Sequence, residues 1–316
     1  MFLSYLNNES LLRRFLTSSN SVVFENTFKV FGELCALNNF SLSIPPGCIY
    51  GFIGSNGAGK TTAMRILVGI TEPTSGEVQV LGSNDIRQVR QQIGYLPEEK
   101  GLYKRMRVLD YIVYLGRLNG MSKLTATSQA KELLNKFDLS QWQRSRCQEL
   151  SKGMGQKVQL IATLVHDPIL LVLDEPFSGL DPVNVELVRD IIFDRVKQNA
   201  TVILSTHIME QAETLCDQIV LINKGESIVE GPMDDIRKGN TIKIEHSGEC
   251  DVFHGIEHVI SAKQVGRTAT LQVSENADTQ EILAQVLPRT RVSLFNTNAV
   301  SLHEIFLRAV GSEERK

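Results

Sequence analysis

The stretch Ile53-Gly54-Ser55-Asn56-Gly57-Ala58-Gly59-Lys60-Thr61-Thr62 decides how this chain is read. From Gly54 to Thr61 it fits G-x-x-x-x-G-K-[ST], a pattern whose backbone cradles the phosphates of a nucleoside triphosphate. Glycines let the chain curl so that successive N–H groups point inward at phosphate oxygens. The helix that follows adds the partial positive charge of its N-terminus. Lys60 then reaches the β- and γ-phosphates, and the Thr61 hydroxyl completes the shell of a Mg²⁺ ion. A glycine-rich turn with an incidental lysine is the competing reading. It is disfavoured because an apolar run, Cys48 to Ile53, feeds the loop, and helical periodicity follows from Thr61 to Val68. By itself the pattern means a nucleoside triphosphate and does not choose among ATPases, GTPases and kinases.

A second apolar run, Ile169 to Leu173, ends in Asp174 and Glu175. A buried strand delivers such carboxylates at its C-terminal edge, where α/β folds bind ligands. Asp174 is expected to hold the Mg²⁺ shell through water, and Glu175 to polarise the attacking water as a general base. A third strand-like run, Thr201 to Ser205, is separated from the second by a helical stretch from Val183 to Lys197. This alternation argues for parallel strands buried on both faces. Ser21 to Val30, Phe40 to Ile44 and Gly76 to Leu81 also have strand character, whereas Val108 to Val165 reads as helical.

At Leu150-Ser151-Lys152-Gly153-Met154 the sequence resembles the signature of the ABC ATPases, Leu-Ser-Gly-Gly-Gln, with Lys152 and Met154 substituted. Ser151 and the Gly153 N–H fall at a helix start, which forms an anion site and equally an ordinary N-cap. The resemblance implies that this site closes over the γ-phosphate held by a second cassette, so that two ATP molecules are sandwiched between two subunits. It also implies an adenine-stacking role for Phe31, where Tyr is usual; a contact with the partner cassette by Ser178-Gly179-Leu180-Asp181; and a γ-phosphate contact by His207. Ile93-Gly94-Tyr95-Leu96-Pro97-Glu98 resembles the segment that ends in a Mg²⁺- and water-linking glutamine, but here Glu98 stands in that place. A carboxylate still ligates Mg²⁺, yet it is acceptor-only when ionised and adds negative charge near the phosphates. Tyr95 to Tyr103, together with the signature, is similar to the exporter branch that includes sodium-extrusion and drug-resistance ATPases, and Glu304-Ile305-Phe306-Leu307 to that branch's accessory C-terminal domain.

The implied fold is α/β: a P-loop NTPase ABC cassette with a RecA-like parallel-sheet core, an antiparallel β subdomain and a helical lobe, followed by a small C-terminal α+β domain. The expected organisation is an extension over residues 1–20, the ATPase domain over 21–238 with its lobe at about 104–165, and the appendix over 241–316. The implied cofactors are ATP and Mg²⁺. The implied partners are a second cassette, identical or paired, and an integral membrane transporter subunit, which puts the chain peripherally at the cytoplasmic face of the membrane. Composition agrees. The 316 residues are 42% hydrophobic and 22% charged, with ample material for a core. A formal charge of −3 argues against bulk nucleic-acid binding. Five scattered cysteines suggest neither a disulfide framework nor a zinc site, and so a reducing compartment. No segment reaches the roughly 18–20 apolar residues of a spanning helix. Two other classes remain in play. An ABC ATPase acting on nucleic acid or ribosomes usually carries tandem cassettes or long coiled-coil insertions, and this chain has neither. A nucleotide-holding regulatory module has no need of Glu175 and His207.

Overall fold

A computed structural model describes residues 20–313 apart from 100, 249, 275, 276, 298 and 299, so most of the N-terminal extension lies outside the described residues. In chain order, β1 (Val22–Phe31), β2 (Leu34–Ile44) and β3 (Ile49–Ile53) precede α1 (Lys60–Leu67) and β4 (Ser75–Val80). Short α2 (Ile86–Val89) leads into β5 (Ile93–Leu96). Three helices follow: α3 (Val108–Leu118), α4 (Lys123–Lys136) and α5 (Lys152–Leu164). Then β6 (Leu170–Asp174), α6 (Pro182–Lys197), β7 (Thr201–Thr206), α7 (Met209–Leu215), β8 (Gln218–Asn223) and β9 (Glu226–Pro232) alternate. The last stretch holds α8 (Met233–Arg237), β10 (Thr241–His246), β11 (Val259–Val265), β12 (Thr268–Val273), α9 (Thr279–Val286), β13 (Val292–Asn296) and α10 (Leu302–Glu313). Packing separates residues up to Glu230 from those from Gly231 onward, and Gly239-Asn240 falls inside the second unit.

The first unit is built on a six-stranded sheet of order β5-β6-β7-β3-β8-β9, with β5, β6, β7, β3 and β8 paired in parallel. Every residue of β3, β6 and β7 is buried, as a parallel sheet covered on both faces requires. A three-stranded antiparallel sheet, β2-β1-β4, covers one side. An aromatic chain stitches the two together: Phe24 meets Phe40 edge-on at 5.3 Å, Phe40 lies 6.4 Å from Phe52, and Phe52 lies 6.1 Å from Tyr50. The α/β core, antiparallel sheet and helical lobe match the architecture expected from the sequence.

Helix α5 ties the lobe to the core. Thr163 Oγ1 donates to the Tyr95 carbonyl at 3.2 Å, and the helix end passes directly over β5. Gly94 makes that approach possible, because a Cβ there would meet Thr163 O at 2.7 Å and Pro168 Cγ at 2.8 Å. The second unit is a four-stranded antiparallel sheet, β11-β12-β10-β13, whose buried Ile244, Leu271 and Val273 pack with Phe253, Ile282 and Val286 into a core of its own. A Gly94→Ala substitution is expected to destabilise the first unit by about 1–3 kcal/mol through overpacking, measured by denaturant unfolding, with the fold preserved.

Candidate active site

Register brings the site together. Ile53 pairs with Thr206, Asp174 with Ser205, and Leu96 with Leu173. The ends of β3, β5, β6 and β7 are therefore level, and the loops leaving them meet at one edge.

The loop after β3 is seated by contacts with β2, β8 and the β8–β9 turn. Gly54 lies against β8, where a Cβ would come 2.3 Å from Ile222 O. Gly59 has φ +113° and would push a Cβ to 2.6 Å from Ala36 O, so only glycine fits. The Gly225 N–H donates to Ala58 O at 2.8 Å, and the Asn38 N–H to Gly225 O at 3.0 Å. Ser55, Asn56 and Gly57 face solvent, Ala58 is buried, and Thr61 and Thr62 sit half-buried in the first turn of α1. The buried Lys60 side chain folds back beneath the loop, its Nζ donating to the carbonyls of Gly54 at 2.8 Å and Ser55 at 3.0 Å. Burial pulls the ammonium below the ordinary lysine value, and the carboxylates of Glu175, Asp174 and Glu98 oppose that shift. All three acids thus act on the loop cation.

Ser205 organises the two acids that end β6. Its hydroxyl donates to Asp174 Oδ1 and accepts the Glu175 N–H at 2.9 Å. Glu175 takes a left-handed conformation, φ +50°, which swings its carboxylate toward β7. There Glu175 Oε1 meets His207 Nδ1 at 2.8 Å, with Glu175 nearly buried and His207 half-exposed. Sequence reasoning assigns no role to Ser205; the available signal is a serine next to Thr206 at the end of a strand whose centre, Val202 to Leu204, is apolar. The second Asp174 oxygen, Oδ2, is buried without a hydrogen-bond partner. An orphaned carboxylate oxygen beside a threonine-bearing phosphate loop suits a hard, oxygen-seeking cation such as Mg²⁺. Among the described residues no three His, Cys, Asp or Glu side chains cluster to hold a metal unaided, a set that fits an ion sharing its shell with phosphate and water.

Other expected site residues lie around this centre. Glu98 is exposed just beyond the end of β5. Phe31, at the end of β1, is 49% exposed, and Lys29 Nζ sits 4.8 Å from its ring centroid, an open aromatic face with a cation at hand. Ser151 caps α5, its Oγ accepting the Met154 N–H at 3.3 Å. Gly153 faces the Gly179 carbonyl, 3.8 Å from its Cβ position, so the signature turn adjoins the Ser178–Asp181 loop of its own chain. Asp181 in turn caps α6 through the Asn184 N–H at 3.0 Å, which holds its carboxyl below the usual range. No hydrogen bond or ion pair among the described residues joins Ser151 or Gly153 to the phosphate loop or to the acids.

A family model described as "ABC transporter" matches residues 37–178, and one described as "ATP-binding protein DrrA1-3-like, C-terminal domain" matches residues 231–310. The chain is 35% identical to the ABC transporter ATP-binding protein YhaQ of Bacillus subtilis over 294 residues, covering 92% of this chain and 99% of that protein. The chain belongs to the ATP-binding subunits of ABC transporters. It is also 32% identical to the Nod factor export ATP-binding protein I of Burkholderia lata, across 92% of this chain and 97% of that relative. Among solved structures, one described as the ATP-binding subunit of an ABC transporter superposes with a TM-score of 0.65 at 28% identity, covering 69% of this chain and 92% of that one. A dimeric bacterial ABC transporter cassette shares the fold, with a TM-score of 0.63 at 24% identity over 67% of this chain and 98% of that one. This ABC subunit binds and hydrolyses ATP, and among its described residues no helix is long and apolar enough to cross a membrane. Ser205→Ala removes the partner of both a buried carboxylate oxygen and the Glu175 N–H. It is expected to cost about 1–3 kcal/mol in thermal or denaturant unfolding and to lower ATPase turnover as well.

Proposed function

We propose that this ABC subunit powers an exporter by closing against a second cassette around ATP and reopening after hydrolysis. The observation that carries the reading is the meeting of Lys60, Asp174, Glu175 and His207 at one sheet edge. The backbone from Gly54 to Gly59 and the first turn of α1, with Thr61 and Thr62, grip the triphosphate. Lys60 lies against its β- and γ-phosphates, and Phe31 offers its open face to the adenine. Thr61, Asp174 and Glu98 hold Mg²⁺, which when bound neutralises charge on the phosphates. Glu175 accepts a proton from the attacking water. His207 Nδ1 keeps the Glu175 carboxylate aimed and, with ATP present, turns to the γ-phosphate.

Within one chain the signature residues adjoin the Ser178–Asp181 loop, with Gly153 next to Gly179, and share no hydrogen bond or ion pair with the phosphate loop among the described residues. A second cassette is therefore needed to bring an equivalent pair over the γ-phosphate. ATP favours the closed dimer because it is gripped from both sides, and ADP does not.

A membrane subunit has a place to dock on the lobe. A groove of about 520 Å³, lined by Arg65, Tyr95, Glu99, Tyr111 and Gln159, opens between the end of β5 and α3–α5. Tyr103 and Tyr114 are exposed beside it and pack edge-on in a row with Tyr111, at 6.0 and 5.9 Å from Tyr103. Exposed aromatic clusters of this kind mark protein interfaces. The groove abuts Glu98, so a shift of the docked segment is transmitted to the hydrolytic edge. Export, rather than import, rests on the relatives named for it and on the similarity of the Tyr95–Tyr103 text to the exporter branch. The chain then sits peripherally on the cytoplasmic face, bound to its membrane companion.

Glu175→Gln is expected to retain ATP binding, accumulate ATP-bound dimer on size exclusion and lose at least about 100-fold in phosphate release. Turnover close to the unsubstituted protein would count against the role. Purification in mild detergent is expected to bring down an integral membrane protein. Recovery of ribosomes or nucleic acid in its place would redirect the reading to a non-transport ATPase.

A further inference from the structure

The second unit carries a cationic groove that ATP hydrolysis does not use. Strands β10, β12 and β11 turn one face inward, with Ile242, Ile244 and Leu271 buried. The opposite face carries polar side chains. The pairing sets Lys243 of β10 against Thr270 of β12, and Thr270 against Lys263 of β11. Two lysines therefore flank one threonine in a single row across three strands. Neighbouring strands lie about 4.8 Å apart, so both ammonium groups, on flexible four-carbon stems, reach a common point above the Thr270 hydroxyl.

Helix α10 forms the other wall and contributes Arg308, enclosing a groove of about 1130 Å³. Four cations line it, Lys238 being the fourth, against one acid, Glu304. Lys238 is paired with Asp235, and Glu304 accepts the Ser301 N–H at 3.4 Å. Lys243, Lys263 and Arg308 have no hydrogen bond or ion pair among the described residues. Like charges gathered on one sheet face repel each other. Cations converging unpaired on a concavity focus a positive field there, which an anion relieves. The groove is large enough for a small-molecule ligand, and Val300 and Ile305 give one side an apolar lining.

We propose that this groove binds a phosphate-bearing ligand, its phosphate held over Thr270 between Lys243 and Lys263 and closed by Arg308, with the rest of the molecule against Val300 and Ile305. Hydroxyl and ammonium donors around one point match tetrahedral phosphate oxygens, and each charge-assisted hydrogen bond is about twice as strong as a neutral one. The phosphate belongs to a soluble organic phosphate or to a phospholipid headgroup. Either source would let the second unit respond to something other than ATP.

The test uses the full chain saturated with MgADP, so that the phosphate loop is filled. Calorimetric titration with inorganic tripolyphosphate is expected to show one further saturable site that weakens as salt rises. The double variant Lys243→Gln/Lys263→Gln should bind it at least about tenfold more weakly, and Arg308→Gln should weaken it too, with ADP affinity and thermal unfolding unchanged. Co-flotation with vesicles of phosphatidylglycerol in phosphatidylcholine forms the second arm. Vesicle binding that the double variant abolishes, without a tripolyphosphate site, assigns the phosphate to a lipid headgroup. The proposal is overturned if neither probe binds the unsubstituted chain, or if the double variant binds as tightly as the unsubstituted chain.

Discussion

The level ends of four parallel strands are the constraint from which the rest follows. A parallel ladder fixes which residues stand side by side, and here it sets Ile53 beside Thr206 and Asp174 beside Ser205. Residues as far apart in the chain as Ile53 and Thr206 are thus brought to one edge by strand pairing. Every residue of β3, β6 and β7 is buried, so a slipped register would have to repack both covered faces of the sheet at once. The aromatic chain from Phe24 to Tyr50 fills the space beneath and keeps the antiparallel sheet pressed to the core.

Two departures from comfortable geometry cluster at that edge. Glu175 holds a left-handed backbone that costs about 1–2 kcal/mol in a non-glycine residue, and Asp174 Oδ2 is buried without a partner. Ser205 makes the arrangement tenable by serving one acid's side chain and the other's backbone. Strain kept at a reacting centre and supported by its surroundings is a recurring mark of function.

Much of this was legible in the sequence, for identifiable reasons. The phosphate loop is local: its residues are contiguous, and the demand for glycine at Gly59 is a backbone matter visible in the text. The β6 run declares itself by unbroken apolar character and β7 by its apolar centre, Val202 to Leu204; β8 holds a like run from Ile219 to Ile222, but no strand is assigned there from the sequence. Strands β9 and β11 do not declare themselves, because their mixed, half-exposed residues follow neither clean alternation nor a continuous run. Ser205 as an organiser is invisible locally, since its worth depends on a neighbour 31 positions away. The same holds for the hairpin contact from Gly225 to Ala58, which no motif encodes. The cationic row in the second unit escapes for a related reason. Lys243, Thr270 and Lys263 become neighbours only when the strand register is known.

That hairpin contact has a mechanical meaning. The phosphate loop is pinned from outside by the β8–β9 turn, which is itself fastened to β2, so two remote pieces of chain hold one short seat. Contacts from outside the loop restrict its conformational freedom, the kind of preorganisation that lowers the ordering cost of binding. Such a seat is a stationary jaw. Across the sheet edge from it stands the Glu175–His207 pair, the opposing jaw.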